Sequence, residues 1–153
     1  MQVRKATKWE TRMLDEAKRW ASYSKDPSTK VGAVIYDPVR FSIVTTGFNG
    51  FPRGANDDPK LYADRSRKYP RIVHAETNAI VDAAYQGKST AGMYMAVTHH
   101  PCGDHCTGNI IQAGIKHVIY EYTEDDMARH NSKEATELFS EAGVQIIAVY
   151  RKE

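Results

Sequence analysis

Cysteine is scarce in this sequence: its 153 residues contain only Cys102 and Cys106. Such a pair cannot build the framework of several disulfides that holds small secreted domains together, and its histidine neighbours favour a metal or redox site instead. Long apolar runs are also missing, because no stretch approaches the roughly 18 consecutive apolar residues of a membrane-spanning helix. The basic N-terminal residues are not followed by the apolar core of a secretion signal. We therefore expect a soluble cytoplasmic protein, in the host cytoplasm if the chain is viral, with no membrane partner.

A strong excess of either charge is missing as well, since 21 Lys and Arg face 19 Asp and Glu, for a net charge of +2. This balance suits a small anionic ligand better than the long basic face of a duplex binder. The chain also lacks the arginine stripe with interleaved aromatic residues that single-strand binding needs, so nucleic acid is not the expected partner. The hydrophobic content of 41% is enough for one continuous core. We therefore expect a single domain over residues 1–153.

Apolar periodicity and turn residues divide the chain into helices and strands. Helices are predicted over residues 9–21, 75–84, 106–113 and 132–141, and strands over 31–36, 42–48, 93–98, 116–120 and 144–150. Gly114 and Gly143 fit the positions just after two of these helices. Residues 49–70 are too polar and too rich in Gly and Pro for a core element, and are predicted to form a long loop that is either functional or mobile. An antiparallel strand pair followed by alternating helices and strands predicts an α/β fold with helices on both faces of the sheet.

Two short motifs carry the chemistry. His74 and Glu76 form a His-x-Glu motif at the start of one predicted helix, and Cys102 and Cys106 follow Pro101 at the start of another. This is nearly the signature of the zinc deaminases. Zinc prefers four tetrahedral nitrogen and sulfur ligands, and a catalytic site keeps one position open. One imidazole and two thiolates therefore predict a catalytic Zn²⁺ site that leaves room for a water molecule.

Glu76 is the predicted catalytic residue. Zinc makes a water molecule available as a nucleophile at neutral pH by lowering its pKa toward about 7. A carboxylate two residues after His74 is expected to enter the pocket without reaching the metal. We expect it to take the proton of the water, deliver it to ring N3 of a cytosine, and later assist the departure of ammonia.

The spacing of the cysteines departs from the usual Cys-x-x-Cys, because Gly103, Asp104 and His105 place three residues between Cys102 and Cys106. A bulge in the loop before the helix would accommodate the extra residue. We favour Cys106 as the third ligand, since the residues that follow it keep the expected register. His105 is the alternative ligand, because imidazole also binds zinc well.

Together with these motifs, several separated segments resemble the deoxycytidylate (dCMP) deaminase family of the cytidine deaminase-like superfamily, over about residues 8–122. The segments are Ser24-Lys25-Asp26-Pro27, Val31-Gly32-Ala33, Gly47-Phe48-Asn49-Gly50-Phe51-Pro52, Asp57-Asp58, Lys68-Tyr69-Pro70, His74 to Ile80, and Pro101 to Ile115. The resemblance implies a three-layer α/β/α sandwich with a mixed five-stranded sheet and zinc between two helix N-termini. It also implies hydrolytic deamination of dCMP to dUMP, which supplies dUMP for thymidylate synthesis.

The same resemblance implies contacts for a deoxycytidine nucleotide. Asn49 would hydrogen-bond the sugar and the backbone N–H of Ala75 would bind the base carbonyl, with Lys25 and Thr98 as further substrate contacts. The basic residues that offer charge-assisted bonds to the phosphate are Lys25, Lys30, Arg53 and Arg65.

Regulation and assembly are also implied by the resemblance. The family is commonly a homohexamer, activated by dCTP and inhibited by dTTP with Mg²⁺. Gly50, Phe51 and Arg53 form the candidate effector loop. We therefore expect a homo-oligomer, with the hexamer favoured, and a nucleoside triphosphate effector bound with Mg²⁺.

Two other functions stay open on the sequence alone. The first is deamination of another cytosine substrate, namely dCTP, a 5-modified dCMP, a nucleoside or single-stranded nucleic acid. The second is a zinc-stabilised regulator that binds nucleotides without turning them over, in which Glu76 would have no clear purpose.

Overall fold

The computed structural model describes residues 3–125 and 132–151. Six strands form one mixed sheet in the order β1-β6-β5-β4-β2-β3. The strands are β1 (Val3–Lys5), β2 (Gly32–Tyr36), β3 (Ile43–Phe48), β4 (Tyr94–Val97), β5 (His117–Glu121) and β6 (Gln145–Tyr150). The helices are α1 (Lys8–Ala21), α2 (Pro59–Ala63), α3 (Arg65–Lys68), α4 (Ala75–Tyr85), α5 (Cys106–Gln112) and α6 (Ser132–Glu141). Within these ranges, every helix is too short or too polar to cross a membrane.

Successive residues of β2 point to opposite faces of the sheet and separate the two halves of the core. Val34 packs on one face with Leu14 of α1, whereas Ala33 and Ile35 pack on the other face. That second face also receives buried residues of α4, α5 and α6, among them Phe139. The sheet is therefore the middle of three layers, with α1 on one side and α4, α5 and α6 on the other.

The first helix follows directly from its sequence. Thr7 and Glu10 form a capping box, with 3.2 Å from Glu10 N to Thr7 Oγ1 and 2.8 Å from Thr7 N to Glu10 Oε2. Its buried stripe packs closely on β2 because Gly32 has no side chain, since a Cβ there would lie 1.9 Å from the Ala17 carbonyl oxygen. Such a backbone approach requires glycine.

Most predicted elements are confirmed to within one or two residues, including the antiparallel hairpin of β2 and β3. The later strands β4, β5 and β6 pair in parallel. Gly114 and Gly143 have φ angles of 79° and 72°, as the left-handed position after a helix requires.

Two predictions were wrong. The sheet has six strands rather than five, because β1 pairs in parallel with β6. Residues 49–70 are not a continuous loop, because they contain the short helices α2 and α3. Their N-caps are Asp58 and Asp64, whose carboxylates accept the N–H groups of Lys60 and Ser66 at 2.9 Å and 3.0 Å. We call residues 49–73 the connecting segment.

Candidate active site

The fold brings the predicted metal ligands together. His74 is the N-cap of α4, and Cys106 is the first residue of α5. The His74 Nδ1 atom lies 3.1 Å from Cys106 Sγ and 3.5 Å from Cys102 Sγ. All three ligand atoms lie within 4.8 Å of one another, and both cysteines are buried. Two helices thus begin at one compact group of donors, which we call the donor triangle.

The donor triangle fits a zinc ion. Tetrahedral zinc with a Zn–N bond of about 2.0 Å and a Zn–S bond of about 2.3 Å separates its nitrogen and sulfur ligands by about 3.5 Å. The two N–S distances of 3.1 Å and 3.5 Å are close to that separation. Three protein ligands leave the fourth tetrahedral position for a small molecule, as in a catalytic zinc site.

Hydrogen bonds make the two thiols unequal. Hydrogen bonding from Cys106, and then from His74 and backbone N–H groups, lowers the pKa of Cys102 to about 3 against the opposing effect of burial. The hydrogen bond with Cys102, together with burial, raises the pKa of Cys106. The bond to Cys102 also raises the pKa of His74. The pair therefore loses one proton easily, and a cation must displace the second.

Glu76 lies next to this triangle and is almost fully buried, with 4% of its surface exposed. Burial raises the pKa of Glu76, and hydrogen bonding to Cys106 offsets this shift only in part. A buried carboxyl group with a raised pKa holds a proton more readily at neutral pH, as a group that both accepts and donates protons requires.

The extra residue between the cysteines is accommodated in a turn. Residues 103–105 form this turn, and α5 begins at Cys106. The Cys102 carbonyl accepts the N–H of Thr107 at 3.2 Å and its hydroxyl at 2.9 Å, which fixes the start of the helix. His105, the alternative ligand, is the exposed N-cap and is not part of the donor triangle.

A cavity of about 640 Å³ opens at the donor triangle. A volume of this size accommodates a small-molecule ligand. It is lined by Tyr69, Ile72, Val73, His74, Thr77, Asp104, His105 and Asn109. Asn109 of α5 donates to the Thr77 hydroxyl of α4 at 3.0 Å, so the two helices are joined at the cavity wall.

The predicted substrate residues occupy different environments. Ala75 is fully buried at the first position of α4. Asn49 is buried at the end of β3, and its Oδ1 accepts the Val31 N–H at 2.8 Å. The Thr98 hydroxyl accepts the Gly32 N–H at 3.1 Å. Asn49 and Thr98 therefore hold the start of β2, and their contacts with a substrate stay predictions.

The basic residues suggested for the phosphate do not converge. Lys25 is exposed and forms an ion pair with Asp57, and Lys30 donates to the Ser24 carbonyl. Arg53 is exposed, with 3.4 Å from its Nη2 to Asp82 Oδ1. Arg65 is the exposed first residue of α3. The structure does not gather these four side chains around one point.

The candidate effector loop lies in a second groove of about 680 Å³. Phe51 stacks on Tyr62 with ring centroids 3.9 Å apart, and Gly50 forms an isolated β-bridge with Val73. Gly50, Phe51 and Arg53 line this groove together with Trp20, Phe48, Val81 and Tyr85. The groove shares Val73 and Thr77 with the cavity at the donor triangle.

Sequence reasoning missed several residues of the cavity wall. Thr77 follows His74 by three positions on a helix, so the two side chains share a face, and this spacing was a usable signal. Tyr69 and Ile72 lie near the end of the connecting segment. They line the cavity because this segment folds back to the donor triangle. No local pattern marks that return.

The fold and the site together define a class of protein. A three-layer α/β/α sandwich in which a His-x-Glu helix and a cysteine-bearing helix start at one donor triangle is the arrangement of a zinc-dependent deaminase. The model of the cytidine and deoxycytidylate deaminase zinc-binding region matches residues 7–122.

Known proteins agree with this class. The chain is 42% identical over 143 residues to the "Uncharacterized deaminase in luxG 3'region" of Aliivibrio fischeri, covering 92% of each chain. It is 39% identical over 132 residues to the deoxycytidylate deaminase of Homo sapiens, covering 81% of this chain and 70% of that protein. The structure of the dCMP deaminase from the cyanophage S-TIM5 in complex with dCMP and dUMP superimposes with a TM-score of 0.73 at 27% identity, covering 96% and 98%. The chain belongs to the cytidine and deoxycytidylate deaminase family of zinc-dependent enzymes.

Proposed function

We propose that this chain, as one deaminase domain over residues 1–153, converts dCMP and water to dUMP and ammonia. One observation carries the proposal: the buried carboxyl group of Glu76 stands beside a donor triangle that fits zinc, and His74 of that triangle lines a cavity. The family and the dCMP-bound structural relative support dCMP among the cytosine substrates. The product dUMP is the precursor that thymidylate synthesis uses.

In this mechanism His74, Cys102 and Cys106 hold the zinc ion. When bound, zinc supplies Lewis-acid activation of a water molecule at neutral pH. The Glu76 carboxylate takes a proton from this water and delivers it to ring N3 while the oxygen attacks C4. Glu76 then passes the remaining proton to the amino group, the C4–N bond breaks, and ammonia leaves. The burial that raises the pKa of Glu76 suits both directions of transfer.

The start of α4 orients the base. The first N–H groups of a helix lack intrahelical acceptors, and the His74 side chain does not cap them. The backbone N–H of Ala75 therefore offers a donor to the base carbonyl, next to the carboxylate that serves N3. A donor fixed in a buried site selects a cytosine whose carbonyl faces the helix.

Regulation and assembly form a further part of the proposal. A triphosphate effector such as dCTP or dTTP, bound with Mg²⁺, would occupy the second groove at Gly50, Phe51 and Arg53. Val73 and Thr77 line both the groove and the cavity, which supports coupling between effector binding in the groove and ligand binding in the cavity. We also propose a homohexamer in the cytoplasm, where a reducing environment keeps both thiols available for zinc.

The test is a substrate panel with zinc-loaded protein. Cytidine, deoxycytidine, their mono- and triphosphates, and 5-modified dCMP are incubated separately, and ammonia and the uracil product are measured. Selective turnover of dCMP is the expected result. If another compound of the panel is turned over selectively, that compound and not dCMP is the substrate. If none is turned over, the proposal is refuted.

Glu76→Gln removes the proton-transferring group with little change in shape. We expect kcat for dCMP to fall by about 10²–10⁴-fold, because general acid–base catalysis contributes on that order. One zinc per chain should remain, since Glu76 is not in the donor triangle. The matched control is Glu137→Gln, on the exposed face of α6, which should keep full activity. Full activity in Glu76→Gln would refute this role.

A further inference from the structure

A buried ion pair lies outside the donor triangle and has no part in the mechanism above. Lys68 ends α3, and its Nζ atom lies 2.7 Å from Asp26 Oδ2 and 2.9 Å from Asp26 Oδ1. The two side chains are only 10% and 3% exposed. Burying two charges is costly unless each finds further partners, so the surroundings of this pair show what it does.

The Asp26 carboxylate is shared among three parts of the fold. Its Oδ1 accepts the Ser28 N–H at 2.9 Å and so closes the loop before β2. Its Oδ2 accepts the side-chain Nδ2 of Asn49 at 3.3 Å, at the end of β3. Lys68 supplies the ammonium from the connecting segment. The carboxylate therefore joins this segment to the residue predicted to hold the sugar.

This network specifies the orientation of the Asn49 amide. Nδ2 donates to the Thr29 carbonyl at 2.9 Å and to Asp26, while Oδ1 accepts the Val31 N–H at 2.8 Å. A carboxylate and a carbonyl only accept, and a backbone N–H only donates, so the opposite orientation would lose all three bonds. Both N–H bonds of the amide are used, and Oδ1 keeps its second lone pair.

The same lysine also reaches the cavity wall. The Lys68 carbonyl accepts the backbone N–H of Ile72 at 2.8 Å, and Ile72 and its neighbour Val73 line the cavity. Lys68 is thus attached through its backbone to one side of the cavity and through its side chain to the Asp26–Asn49 network.

We propose that Lys68 is a positioning residue for the sugar of the substrate: it neutralises Asp26, which accepts one N–H of the Asn49 amide, and Oδ1 of that amide would accept the 3′ hydroxyl. The proposal rests on the proposed function. In a 2′-deoxynucleoside 5′-monophosphate the 3′ hydroxyl is the one free sugar hydroxyl, and it must donate its proton to Oδ1. Without the ammonium, the Asp26 charge is buried without compensation, so the carboxylate must shift toward solvent or take up a proton, which weakens its bond to the Asn49 amide.

The test removes one hydroxyl from the substrate and one charge from the protein. The ratio of kcat/KM for dCMP to that for 2′,3′-dideoxycytidine monophosphate is measured for the wild type and for Lys68→Met. We expect a ratio of about ten or more in the wild type, typical of one lost hydrogen bond in a buried site. In Lys68→Met this ratio should fall to about two or less, mainly through a higher KM for dCMP.

Controls separate this effect from general damage. Arg67→Met removes the same charge from the neighbouring exposed residue and should leave the ratio unchanged. Lys68→Arg should restore at least half of the discrimination. As a single substitution, Asn49→Ala should also lower the ratio. Combined with Lys68→Met, it should cause no further decrease. A folded Lys68→Met that discriminates as strongly as the wild type would overturn the proposal, as would a wild-type ratio near one.

Two further measurements keep the test decisive. If Lys68→Met does not fold, Asp26→Asn/Lys68→Met removes both charges, and full discrimination in that variant would also overturn the proposal. If the wild type turns over no nucleotide, the proposed function fails separately. The affinities of dCMP and its dideoxy analogue for the zinc-loaded proteins then replace kcat/KM, and equal wild-type affinities, or no binding of either, would overturn the role of Lys68.

Discussion

Replacing Gly47 by alanine tests whether the closeness of β3 and α4 places the catalytic groups. A Cβ at this position would lie 2.4 Å from the Ala75 carbonyl oxygen and 2.6 Å from the Ala79 nitrogen, whereas Cβ atoms essentially never approach within 3.0 Å. The start of α4 must therefore retreat by at least about 0.6 Å, at a cost of about 1–3 kcal/mol in the free energy of unfolding. Backbone atoms cannot rotate away as the end of a side chain can.

The retreat also moves His74 and Glu76 relative to Cys106 on α5 and to Cys102, which precedes that helix. Displacing reacting groups by about 1 Å can reduce the rate by about 10²-fold. We expect Gly47→Ala to lose stability in urea unfolding, to bind zinc more weakly, and to lose about tenfold to a hundredfold in kcat/KM for dCMP.

Gly108→Ala is the matched control, since a Cβ there has no neighbouring heavy atom within 4 Å. Alanine inside a helix such as α5 is more stable than glycine by about 0.5–1 kcal/mol. We expect this control to gain stability and keep activity. A Gly47→Ala variant as stable and as active as the wild type would refute the reasoning.

Three other predictions concern metal binding and stability. Acidification should weaken zinc binding by about tenfold per pH unit for each proton released, because the raised pKa values of Cys106 and His74 leave protons for the metal to displace. A zinc titration from pH 8 to pH 6 measures this effect. A constant affinity for zinc over that range would contradict the prediction. Cys106→Ser should impair zinc binding more than His105→Ala in the same titration, and the reverse order would make His105 the ligand. Thr7→Ala removes the capping box of α1 and should cost about 1 kcal/mol in unfolding free energy, whereas an unchanged midpoint would argue against the cap.

Local signals were enough for the regular elements and for the donor triangle. The helix α1 has an apolar stripe and a cap, and its predicted start differs from the observed Lys8 by one residue. His74 and Cys106 come together because each stands at a helix start, which short motifs reveal. The short helices α2 and α3 were not predicted from the sequence, because four or five residues are too few to show a helical periodicity. Asp58 before Pro59 was the available signal, since aspartate at the N-cap and proline at the first helical position are both favoured.

Long-range pairings could not be predicted from local patterns. The ion pair of Lys68 and Asp26 joins residues 42 positions apart. A lysine and an aspartate in polar segments are usually exposed to solvent, so nothing in their neighbours marks their burial. The stacking of Trp9 on Phe41 is another long-range contact that the local sequence does not mark.

The pairing of β1 with β6 has a consequence for synthesis of the protein on the ribosome. Val3 lies opposite Ala148, so β1 pairs with a strand that is translated much later. At about 5–20 residues per second, β1 waits roughly seven to thirty seconds before its partner has been translated. Until then β1 has no partner strand, and the edge of the sheet at β5 stays unpaired. A ligand or tag that captures β1 during this interval would delay completion of the fold without touching the zinc site.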